Sequence, residues 1–135
     1  MKNSKVLKVL LFISGLIAAS IGAAILLMPT TFYASNGIDL TGNISLLNKI
    51  RASGGALLAA GILIFSGSFM HRLTFTALVV ASMLYLSYGL SRILSFGIDG
   101  IPSEGLVQAA VLEVIIGAIC VWAFVKYRTI KTDLV

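Results

Sequence analysis

Glu113 stands inside an almost unbroken apolar run, residues 106–125, with Val111, Leu112, Val114, Ile115 and Ile116 around it. A carboxylate so placed needs a proton or a cation, because a charge at the centre of a membrane-length helix costs about 2.5–3.5 kcal/mol. Arg51 and Arg92 also fall within apolar runs and are the candidate cations. Tyr85, Tyr88 and Arg92 recur at i, i+3 and i+7, so two phenols and a guanidinium share one helix face. Asn48 lies one turn before Arg51. Such a cluster could hold a carboxylate, a phosphate or a quinone oxygen, since guanidinium groups pair bidentately with oxygens of that kind. Two cations against one anion would leave the site net positive.

The same inventory argues against other chemistry. The only histidine, His71, falls in a short turn beside Arg72, away from Ser53 and Ser95, so no nucleophile–base pair is expected. The single cysteine, Cys120, lies deep in the last apolar run, and no Cys/His cluster spaced for zinc or an iron–sulfur centre occurs. The expectation is therefore a protein that is not an enzyme and that carries no metal and no cofactor.

The elements that must position the cluster follow from hydropathy. Hydrophobic residues make up 59% of the 135 and charged residues 11%, against about 25% charged in a soluble domain. The mean hydropathy is +1.05. A chain of this kind cannot cover a water-exposed globule. Four apolar runs, about 6–28, 46–66, 73–95 and 106–125, are each long enough to cross a bilayer core of about 30 Å. The fold class predicted is an all-α, integral membrane four-helix bundle forming a single domain over residues 1–135. The first run, about 23 residues, exceeds the roughly 7–15 of a signal-peptide core and is read as a retained helix.

The net charge of +5 does not signal nucleic acid. Lys2, Lys5 and Lys8 precede the first run, His71 and Arg72 separate the second and third, and Lys126, Arg128 and Lys131 follow the fourth. That is the positive-inside distribution, which places both termini in the cytoplasm. Asp39, Asp99 and Glu104 fall in the opposite loops. Residues 29–43 hold Phe32 and Tyr33, suited to the headgroup level, the turn dipeptide Asn36-Gly37, and room for a short interfacial helix. In the first run, Ser14, Ala18 and Gly22, and likewise Gly15, Ala19 and Ala23, recur every fourth residue, a spacing that lets helices approach closely in lipid. With this topology Arg51, Arg92 and Glu113 all fall within roughly 5–12 Å of the outer face at 1.5 Å per residue.

These motifs have a likeness. The pattern Asn48-x-Ile50-Arg51-Ala52-x-Gly54-Gly55, then Gly89-x-x-Arg92-x-x-Ser95-x-x-x-Asp99-Gly100-x-Pro102, then Glu113, resembles a family of small bacterial four-helix membrane proteins catalogued as a domain of unknown function, number forty-three forty-five. The resemblance covers nearly the whole chain and implies the architecture, not an activity. A more distant similarity is to DoxX-like four-helix proteins, some associated with quinone-linked oxidoreductases, which implies a quinone-proximal or accessory role.

The function expected is that of a multi-pass protein of the bacterial inner membrane, in contact with membrane lipid. Arg51, Arg92, Glu113, Tyr85, Tyr88 and Asn48 would bind an amphipathic anionic or quinone-like small molecule in an outer-leaflet polar pocket. An accessory subunit is the alternative, its Arg/Glu cluster only fixing helix packing and its small-residue faces docking a partner or a second copy. A small proton-coupled transporter is the third reading.

Overall fold

The computed structural model describes residues 4–133. The chain forms α1 (Ser4–Leu27), α2 (Pro29–Ala34), α3 (Ile44–Gly67), α4 (His71–Asp99) and α5 (Glu104–Asp133). All but α2 are long and apolar enough to cross a membrane. Because the four long helices alternate in direction, one end of the bundle carries Lys5, Lys8, His71, Arg72 and Lys126. This is the basic end. The other carries α2, Asp39, Asp99 and Glu104, and is the α2 end.

Local chemistry sets the boundaries. Pro29 has no N–H to continue α1 and instead opens α2 at its first position. Asn43 caps α3, its Oδ1 accepting the Leu46 N–H at 3.0 Å. The Asp39 carboxylate accepts the Thr41 N–H at 2.9 Å; the Thr41 side chain first, and this N–H second, hold Asp39 below the usual carboxylate range. The third long helix runs a turn beyond the expected end at about residue 95. Ser95 donates to Asp99 Oδ2 at 2.8 Å across that turn, and only Gly100, at φ +105°, lets the backbone leave the helix.

Two tight helix pairs build the bundle. In lipid there is no hydrophobic drive between helices, so backbone proximity and van der Waals contact must hold them. Along the α1–α3 seam, Gly22 faces the Leu58 backbone, Gly54 faces Ile25 and the Gly22 carbonyl, and Gly61 faces the backbone of Ala19. The four-residue stripes of α1 thus fall on this seam through Gly15, Ala19 and Gly22. The α4–α5 seam is made the same way, Gly89 against Val114 and Gly117 against Leu86. A short turn after Gly67 joins the pairs, fastened by Thr74 Oγ1 donating to the Gly67 carbonyl at 2.9 Å. Leu7, Leu11, Ile64, Ala77, Leu78 and Ala81 fill the basic half. Toward the α2 end the pairs separate, and among the described residues the α3 and α5 backbones do not come close to each other. That separation makes room for a site.

Candidate functional site

A cavity of about 400 Å³ lies between the two helix pairs at the α2 end. Its apolar wall includes Ile17, Ile21, Ile25, Leu57, Leu84 and Leu112, while Arg92, Glu113, Tyr33, Tyr88 and Asn36 supply polar groups. Arg92 and Leu84 are eight residues apart on α4, so the cavity extends about 12 Å along the helix axis. Tyr33 and Asn36 stand at its α2 end beside Ile25 and Leu106, and Ile17, Leu57 and Leu84 line it farther in. The volume is within the usual range for small-molecule sites, about 300–1,000 Å³.

The α4–α5 seam positions the central pair. Gly89 sits against Val114, so Arg92, one turn on, meets Glu113, the residue before Val114. The Arg92 Nε–H donates to both carboxylate oxygens, at 3.1 Å to Oε1 and 2.9 Å to Oε2. The side chains are 31% and 15% exposed. Only Nε is used. Among the described residues neither Nη group of Arg92 has a hydrogen-bond partner, and the same holds for the hydroxyls of Tyr33 and Tyr88. Burial pushes the Tyr33 phenol above its ordinary range; the nearby Arg92 guanidinium works against that shift and Tyr88 adds to it. Tyr33 is therefore a neutral O–H donor throughout the physiological range.

Helix α2 closes this end of the cavity. The Asn36 amide donates to the Phe32 carbonyl at 3.3 Å, and its Oδ1 lies where a Cβ on Gly105 would stand 2.5 Å away. Gly105 thus lets the segment after α2 rest directly on the start of α5.

The expected six residues divide. Arg92, Glu113, Tyr85 and Tyr88 all line the cavity. The Tyr85 hydroxyl donates to the Ser14 carbonyl of α1, so its proton is already committed. Arg51 and Asn48 are not in the lining. Arg51 turns the other way and donates from Nη1 to the Leu26 carbonyl at 2.6 Å, where a cation complements the negative end of α1. The cause is azimuth. Arg51 is one turn before Gly54, the face of α3 that packs on α1, while Ser53, about 200° round the helix from Arg51, faces the cavity. The charged part of the lining is one cation and one anion, not the net-positive trio expected.

Sequence reasoning missed Tyr33 and Asn36 as site residues. Phe32-Tyr33 reads as a headgroup belt, and nothing in the segment's composition shows that it folds inward. Among the described residues no three His, Cys, Asp or Glu side chains come together as a metal site would need.

Fold and site together define an all-α membrane protein with four helices able to cross a bilayer and a polar-capped cavity between them. More particularly, the chain belongs to the family described as Domain of unknown function (DUF4345), which it matches over residues 6–124. No curated protein and no solved structure matches it.

Proposed function

We propose that the protein binds one small amphipathic molecule in the cavity at the α2 end, its polar head against Arg92, Tyr33 and Tyr88 and its apolar part between Ile17 and Leu84. The observation that carries this reading is the unused donor set, two Nη groups and two phenol hydroxyls, above an aliphatic pocket. None of these donors is sealed from its surroundings, so each is open to an acceptor on a ligand that enters the cavity. Because Glu113 already balances the Arg92 charge, a neutral acceptor such as a quinone-like carbonyl fits better than an anion. The positive-inside pattern supports placement in a bacterial inner membrane with the basic end in the cytoplasm. The cavity would then open to the outer leaflet.

A second reading has its own observation: Nε bridging both oxygens of Glu113 could serve only to fix the register of α4 on α5. Native mass spectrometry of protein extracted in mild detergent, with Arg92→Gln alongside, separates the two. Binding gives a small-molecule adduct on the wild type that is lost from folded Arg92→Gln. A bare chain in both, or an adduct other than a phospholipid that survives the substitution, defeats the proposal.

A further inference from the structure

A second cleft opens toward the basic end, between α1 and α5. Each of these helices is committed to another partner, α1 to α3 and α5 to α4, and the two touch each other over only a short stretch. The space left is about 520 Å³, walled by Val6, Val9 and Ile13 on one side and Ile116 and Ile119 on the other. Ser14 lies at its deep end. Its hydroxyl is used on the Leu10 carbonyl at 2.7 Å, and its own carbonyl accepts from Tyr85. Tyr85 lines the first cavity and Ser14 the second, so this hydrogen bond stands between them. The second cleft offers water almost nothing to bind, and left empty it would forfeit contacts on both walls.

Its mouth is charged. Lys5 lines it directly. On α5, Lys126 follows Ile119 by seven residues, close to two full turns, and so continues the same face. Lys5 is eight residues from Ile13 and Lys126 ten from Ile116, along antiparallel helices, which brings the two to similar depth. The Lys126 ammonium sits 4.8 Å from the centroid of Trp122, an indole that is 55% exposed and suited to the headgroup boundary. Among the described residues neither lysine has an ion-pair partner.

We infer that this α1–α5 cleft is a binding site for an anionic phospholipid, one acyl chain lying between Val9 and Ile119 and the phosphate between Lys5 and Lys126. An aliphatic slot with Lys5 at its mouth, and with Lys126 beyond its lining on the Ile119 face of α5, matches an acyl chain bearing a negative head. Basic pockets between membrane helices recognise such heads.

The test is native mass spectrometry of the full chain in detergent, with phosphatidylglycerol and phosphatidylcholine added at equal concentration. The wild type should retain phosphatidylglycerol in preference. Lys5→Gln and Lys126→Gln, both at exposed positions, should each lower that preference about fivefold. Val9→Trp, which fills the slot and keeps both lysines, should abolish retention. Arg92→Gln, in the other cavity, should leave it unchanged. An unchanged preference in the double lysine variant would overturn the inference, as would undiminished phosphatidylglycerol on Val9→Trp. A dimer mass in place of the lipid adduct would overturn it too, by putting a second copy over the cleft.

Discussion

Gly61→Ala should unfold the bundle at a markedly lower denaturant concentration than the wild type, with a loss of about 3 kcal/mol, the upper end of the usual overpacking cost. The added methyl would stand 2.7 Å from the Ala19 Cα and closer still to its amide nitrogen. A flexible side chain could swing away from such a contact, but a helix backbone cannot. The whole of α1 would have to retreat, and Gly15, Gly22 and Gly54 would lose their close contacts with it. In lipid no hydrophobic term compensates for a widened seam. Gly55→Ala, six residues earlier on the same helix, should do the reverse. Its added methyl has only Leu26 Cδ1 within reach, at 4.0 Å, so the helix gains roughly 0.5–1 kcal/mol from losing a glycine. Opposite signs at two glycines of one helix, read from unfolding midpoints, would place the seam. Equal effects would displace it.

Charge removal at the α4–α5 seam should show the second large effect. Glu113→Gln leaves the Arg92 guanidinium without its anion, and Arg92→Gln leaves the carboxylate without its cation. Each should cost about 1–3 kcal/mol, below the cost for a fully enclosed pair because Arg92 keeps part of its surface accessible. Arg92→Gln and Glu113→Gln combined should cost less than the sum of the singles by at least about 1 kcal/mol, since neither charge is then stranded. Additive losses in that cycle would mean that the two side chains do not act on one another. The combined variant also bears on ligand binding: it should fold, yet lack the Nη donors and retain no ligand in the cavity at the α2 end.

What could be read beforehand divides along physical lines. The four crossing helices were legible because apolar runs of that length have few alternatives. Rise per residue is fixed, so Arg92 and Glu113 were expected within reach of each other, and they pair. Azimuth was not legible. Whether a cation at the correct depth faces the cavity or the neighbouring helix depends on which glycines make the seam, and Gly54 drew the Arg51 face toward α1. Arg92 meets Glu113 because Gly89 and Gly117 bring α4 and α5 together, and a single sequence does not show that those two glycines oppose each other. The inward fold of Tyr33 and Asn36 was hidden for another reason. A six-residue helix and its loop have no periodicity to read, and their position depends on Gly105, about seventy residues away in the chain. The helical turn to Asp99 escaped because Gly97 and Asp99-Gly100 read as loop chemistry, whereas only Gly100 leaves the helix.

The most direct measurement is native mass spectrometry of the wild type beside Ala109→Phe. Ala109 lines the cavity one turn from Glu113 and is only partly buried, so a phenyl ring there takes up the space without removing a polar group. If the cavity is a binding site, the small-molecule adduct of the wild type should be absent from Ala109→Phe, while the ligand-free variant melts no lower than the ligand-free wild type. The same adduct at wild-type occupancy on Ala109→Phe would contradict the site and leave the Arg92–Glu113 pair with a packing role alone.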